Sequence, residues 1–232
     1  MPKSVEKFER TALLVVDIQN GFIEESELPV PGGKEVIPII NRLMPLFPVV
    51  VASQDWHPAG HGSFYTRHPG AQPYDMGELG GSPQILWPVH CVQGTRGAEF
   101  APGIKTEYFQ AIIHKGMDPG VDSYSVFYDN HHQNPSGLKG YLQERGVDRI
   151  FLAGLAFDYC VRFSALDALE FTDQVYVIED ACRGVAPETI GETKREFKEK
   201  GIRLVESVDV RKMIGKRRAV SSETFQLSQG KV

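Results

Sequence analysis

The feature that most constrains the fold is a short run of aliphatic and β-branched residues with almost no polar interruption, repeated along the chain. Six such runs occur, at 12–16, 49–52, 111–113, 149–153, 175–178 and 202–205. A strand with one wet face alternates polar and apolar side chains, whereas a strand buried on both faces is apolar throughout. Amphipathic stretches fall between the runs. One covers 34–46, with Pro38 and Pro45 blurring its limits, and another 137–145, with Ser136 as N-cap candidate and Gly146 as stop. A third covers 159–171. The last, 187–200, opens on Pro187, closes at Gly201, and carries Ile190 and Phe197 on one face. This β–α alternation predicts one parallel sheet with helices on both sides.

Composition narrows the class. Hydrophobic residues make up 41% and charged residues 24%, an ordinary globular balance. With 25 Lys and Arg against 30 Asp and Glu, the net charge of −5 argues against a nucleic-acid partner, and Lys216-Arg217-Arg218 reads as a solvated run. No apolar stretch approaches the roughly 18 residues of a membrane span, and residues 1–10 lack a signal-peptide core. Cys91, Cys160 and Cys182 are too few and too scattered for a disulfide framework. Their odd number fits a reducing compartment, so a cytoplasmic protein is expected. The chain reads as one domain over 1–215, with a polar appendage at 216–232. Homo-oligomerisation is left open.

The interval 53–110 breaks the rhythm with Gly, Pro, His and aromatic residues, and long irregular connections are usually functional. Ligands of open α/β sheets bind at the carboxyl ends of strands. There the sequence places Asp17, then Asp55 and His57, then Lys115, then Cys160, with Glu179 and Asp180 after the fifth run. Cys160 stands early in a predicted helix, where free amides favour a thiolate and can hold an oxyanion. Asp17 and Lys115 supply a base and a cation. Asp55 and His57, at i and i+2 of an extended segment, with His61, His68 and His90 downstream, suit Zn²⁺, Fe²⁺ or Mn²⁺. Phe22, Trp87 and Tyr124 lie near these residues and can wall a pocket for a flat ring.

These segments together resemble the nicotinamidases of the isochorismatase-like cysteine hydrolase superfamily. The resemblance rests on Ala12-Leu13-Leu14-Val15-Val16-Asp17-Ile18-Gln19-Asn20, Ser53-Gln54-Asp55-Trp56-His57-Pro58, Trp87-Pro88-Val89-His90-Cys91, His114-Lys115-Gly116, Asp122-Ser123-Tyr124-Ser125, and Gly154-Leu155-Ala156 leading to Asp158-Tyr159-Cys160-Val161. They follow the family's order over about 11–186. The resemblance implies a three-layer α/β/α fold with a six-stranded, mostly parallel sheet. It also implies hydrolysis of nicotinamide to nicotinate and ammonia through a thioester, a step of NAD salvage.

By residue match, Asp17, Lys115 and Cys160 would be the triad, and Asp55, His57 and His90 the ligands of one divalent metal, zinc first, with His61 a variable fourth. Phe22, Trp87 and Tyr124 would surround the substrate ring. A cis peptide between Leu155 and Ala156 would aim the Ala156 amide, with that of Cys160, at the oxyanion. Phe157 stands where many relatives carry Thr, which puts pocket shape there in question.

Two alternatives belong beside this reading. A carbamoylsarcosine- or ureidoacrylate-type hydrolase would keep the triad without the metal set, and a metal-binding thiol redox sensor would release no ammonia.

Overall fold

The computed structural model describes residues 10–23 and 25–214, so the 216–232 appendage lies outside the described residues. Six strands form the main sheet: β1 (Thr11–Val16), β2 (Val49–Asp55), β5 (Ala111–Lys115), β6 (Arg149–Leu155), β7 (Val175–Arg183) and β8 (Arg203–Val205). Their order is β5-β2-β1-β6-β7-β8 and every adjacent pair is parallel. Between β2 and β5 lies a separate antiparallel hairpin, β3 (Met76–Leu79) and β4 (Ser82–Ile85). The helices are α1 (Val36–Leu43), α2 (Leu138–Glu144), α3 (Cys160–Ala168), α4 (Pro187–Lys200) and α5 (Ser207–Ile214).

The uninterrupted apolar strands are explained by the two cores they serve. Leu13, Val15, Phe151 and Ala153 point to one face, against Val36, Ile40 and Leu43 of α1 and Val210 and Ile214 of α5. Ala12, Leu14, Ile150 and Leu152 point to the other, against Leu138 and Leu142 of α2, Val161 and Ala165 of α3, and Phe197 of α4. Each strand thus alternates between faces while burying both, which makes the three layers. At the top of the central pair, Gly154 faces Val16 with φ +128, and a Cβ there would lie 2.0 Å from the Val16 carbonyl oxygen. Only glycine lets β6 approach β1 so closely.

The sequence expectation needs four adjustments. Pro38 falls in the first turn of α1, where a missing amide hydrogen costs nothing, and Pro45 sits in a separate 3₁₀ turn. The N-cap of α2 is Gly137 rather than Ser136, although the Ser136 hydroxyl still accepts the Leu138 amide at 3.2 Å. Glu179 and Asp180 do not follow a strand; β7 runs through them to Arg183. Asp180 is used there to accept the Ser207 amide and hydroxyl, at 2.8 and 2.5 Å, capping α5, a helix the apolar pattern did not reveal.

Candidate active site and metal centre

After β1 the chain fills one side of the sheet with β2 and β5, then crosses to β6. The switch point lies between β1 and β6. Asp17 follows β1 directly, and Cys160 opens α3 just beyond β6. Lys115 ends β5, two strands away, and its long side chain crosses the end of β2 to reach them.

Lys115 Nζ lies 2.9 Å from Asp17 Oδ2 and 3.4 Å from Cys160 Sγ, donates to the Ser123 carbonyl at 3.1 Å, and pairs closely with Asp55. Asp17 is fully buried; its Oδ1 accepts the Ser53 hydroxyl at 2.6 Å, while Oδ2 takes no aligned hydrogen bond beyond the Lys115 ion pair. That oxygen is available to receive a proton. Carboxylate oxygens of Asp17 and Asp55 and the Cys160 sulfur lie within 4.8 Å of one another. The Lys115 ammonium in their midst excludes a metal there.

Charge states follow from this packing. Burial pushes the Cys160 thiol well above its ordinary range, and the Asp17 and Asp55 carboxylates add to the rise, outweighing Lys115. Burial thus opposes the thiolate that Lys115 and the helix N-terminus favour. Burial also raises the Asp17 carboxyl against the pull of Lys115. Burial works against the Lys115 ammonium, yet Asp17 and Asp55 hold it charged, well above the usual range. The resting arrangement is a thiol beside a carboxylate whose proton affinity is raised towards accepting its proton.

Next to it, the ligand atoms of Asp55, His57 and His90 lie within 4.8 Å of one another, all buried. His57 Nδ1 donates to the Gly116 carbonyl and His90 Nδ1 to the Pro88 carbonyl, each at 2.8 Å. A carbonyl only accepts, so Nδ1 carries the hydrogen in both rings and leaves Nε2, facing Asp55 Oδ2 at 3.7 Å in each case, as the nitrogen that can offer a lone pair to a metal. Burial raises the Asp55 carboxyl, but Lys115 and His57 outweigh it and hold it well below the ordinary range. His61 differs. Its Nδ1 faces the Ser63 amide, a pure donor, at 3.2 Å, and its buried Nε2 has no partner.

Asp122, which sequence reasoning quoted without a role, joins His57 and His61 in a second such group. Asp17 and Asp55 flank the Lys115 ammonium and Asp122 faces His57 and His61, so three buried carboxylates accompany one ammonium, a formal deficit of two charges. Two imidazole lone pairs, a carboxylate and that deficit fit a divalent cation. His68 is engaged elsewhere, with its Nε2 on the Gly62 carbonyl at 2.7 Å.

Both centres open on one pocket, whose lining includes Phe22, Trp87, Tyr124, Ala156 and Cys160. It also includes Tyr159, Leu28, Val30, Val185 and Asp122, which sequence reasoning did not assign. The Trp87 ring stands nearly perpendicular to those of Tyr124 and Tyr159, and its Nε1 donates to the Tyr124 hydroxyl at 3.0 Å. Position beside Cys160 was the available signal for Tyr159; Leu28 and Val30 had none.

The Leu155–Ala156 peptide is cis. The Ala156 carbonyl accepts the Tyr159 and Val161 amides at 3.1 and 3.0 Å, folding the loop around Cys160, whose own amide is one that a helix start leaves without an intrahelical partner. Phe157 lines a different cavity, with Cys182, Arg183 and Ile190, and meets Phe197 edge-on at 5.7 Å. It packs between layers instead of shaping the ring pocket.

Fold and site define an amide-hydrolysing α/β enzyme. The chain belongs to the isochorismatase family, whose domain model matches residues 11–207. It is 46% identical over 174 residues to a nicotinamidase of Acinetobacter baylyi, covering 75% of this chain and 81% of that one. Its fold resembles a nicotinamidase–pyrazinamidase of Acinetobacter baumanii at TM-score 0.85 and 42% identity, covering 88% of this chain and 99% of the other. It also resembles a pyrazinamidase of Pyrococcus horikoshii in complex with zinc, at TM-score 0.70 and 37% identity, covering 85% and 99%.

Proposed function

We propose that the protein hydrolyses nicotinamide to nicotinate and ammonia, with Cys160 as nucleophile, Asp17 as proton carrier and Lys115 as the cation that keeps both in register. The observation that carries this reading is the buried Asp17 Oδ2, held by the Lys115 ion pair and close to the sulfur of Cys160, which lines an aromatic pocket. Similarity to nicotinamidases supports the choice of ring.

Asp17 takes the thiol proton as the sulfur attacks the carboxamide carbon, and the amides of Ala156 and Cys160 receive the oxyanion. Asp17 then passes the proton to the departing nitrogen, the C–N bond breaks and ammonia leaves a thioester. Water attacks that thioester, giving its proton to Asp17, and the acid departs as the sulfur recovers a proton. Lys115 balances the negative charge that moves between Asp17 and Cys160.

Asp55, His57 and His90 would hold the divalent metal, zinc in the first instance, with iron or manganese suiting the same donors. When bound, the cation supplies a Lewis-acidic point that orients the ring nitrogen. His61 and Asp122 stand around its open side. Three free thiols fit a reducing cytoplasm and a place in NAD salvage. The test is ammonia release from nicotinamide by the purified, metal-loaded protein; its absence from a folded sample would overturn the reading.

A further inference from the structure

The β3–β4 hairpin stands outside the main sheet, and of its eight strand residues only Gln84 is buried. That residue is polar, and its side chain, 5% exposed, does not enter either apolar core. Its amide Nε2 reaches the Tyr124 hydroxyl at 3.0 Å, Asp122 Oδ2 at 3.2 Å and the Ile85 carbonyl at 2.8 Å. The Tyr124 oxygen therefore accepts from two sides, from Gln84 and from Trp87 Nε1.

Tyr124 and Asp122 form a thin wall. On one side they line the ring pocket; on the other they line a cavity of about 230 Å³, together with Gln84, Ser82, Phe163 and Asp167. A side chain with space behind it is not held in place by packing alone, because a void supplies no contact atoms. Phe163 and Tyr159 brace the Tyr124 ring, at 5.2 and 5.8 Å between centroids, and hydrogen bonds hold its hydroxyl end.

We propose that Gln84 is a positioning residue for substrate binding: by donating to the Tyr124 hydroxyl from the far side, it fixes the wall that sets the width of the ring pocket. This inference rests on the nicotinamide reading above. Gln84 has no hydrogen bond to the Cys160 sulfur or to Asp55, His57 or His90, and meets the second histidine group only through Asp122, so its loss acts on how the ring is held and leaves the chemistry of Cys160 in place. The hairpin thereby acquires a purpose that its exposed strands do not otherwise explain.

The test is steady-state kinetics on nicotinamide. Turnover by the wild type comes first, since its absence counts against the nicotinamide reading and not against Gln84. With that turnover in hand, Gln84→Leu is expected to raise KM about tenfold, the worth of one lost buried hydrogen bond, while kcat stays within about threefold. In a Tyr124→Phe background, which removes the shared acceptor, the same change should add less than about twofold. A KM within about twofold of wild type in Gln84→Leu, or a full effect persisting in the Tyr124→Phe background, would overturn the proposal. If Gln84→Leu does not fold, Gln84→Met keeps the side-chain length but cannot donate. It should show the same rise in KM, and a wild-type KM there would overturn the proposal equally.

Discussion

The Gly116 carbonyl accepts the Nδ1 hydrogen of His57 at 2.8 Å, one residue beyond Lys115. A single turn of backbone at the end of β5 thus places the cation of the proposed triad and sets the tautomer of a proposed metal ligand. The two centres are mechanically one. Asp55 repeats the coupling from β2, pairing with Lys115 through one oxygen and facing both imidazoles with the other.

Gly116 is therefore expected to be intolerant of a side chain. Its φ is +65, and a Cβ would lie 2.4 Å from the His57 ring, so Gly116→Ala pushes the imidazole off its carbonyl. Losing the hydrogen bond that orients a metal-binding imidazole costs roughly 10- to 100-fold in metal affinity. Titration of the metal-stripped variant with zinc should show that drop. Wild-type affinity would mean that the His57–Gly116 bond does not hold the ligand.

Phe157→Thr should reduce stability and spare catalysis. The ring is 3% exposed and packs on Phe197, so removing it costs about 3 kcal/mol, as for other large-to-small core changes. Urea denaturation should show the loss, with KM for nicotinamide unchanged. A changed KM at unchanged stability would mean that Phe157 shapes the ring pocket after all.

Asp129 gives a pH signature away from the site. Burial opposes its charge, but the amides of Gln133, Asn134 and His131 and the Asn134 side chain outweigh it and hold the carboxyl below its ordinary range. A lowered folded pKa contributes stability that is present above the unfolded value, near 3.9, and is lost as pH falls through the folded one. Asp129→Asn should therefore be less stable than wild type at pH 6, by roughly 2 kcal/mol. The gap should narrow below about pH 4. Urea midpoints at the two pH values check this, and a gap constant with pH would refute it.

Much of this was legible in the sequence because burial on both faces leaves an unmistakable apolar signature, as in β1 and β6. The strand-end argument found Asp17, Asp55, Lys115 and Cys160 for the same reason, since each sits where such a run stops. What escaped was polar structure satisfied at a distance. β7 continues through Glu179 and Asp180 because Lys194 pairs with the first and Ser207 donates to the second, partners that hydropathy along the chain does not register. The β3–β4 hairpin was invisible because its strands are mostly exposed. Asp122 gains meaning only when β5, β4 and the histidine loop converge around it. The thiol state of Cys160 likewise depends on burial and on Asp17 and Asp55, which the helix start displayed by the sequence does not reveal.

The most direct test of the account is Cys160→Ala, assayed for ammonia release from nicotinamide and, in parallel, for zinc content and nicotinate binding. The account predicts no ammonia above background, with zinc and nicotinate bound as in the wild type, because the substitution removes the attacking sulfur and none of the groups that hold metal or ring. Ammonia released by that variant at the wild-type rate would contradict it.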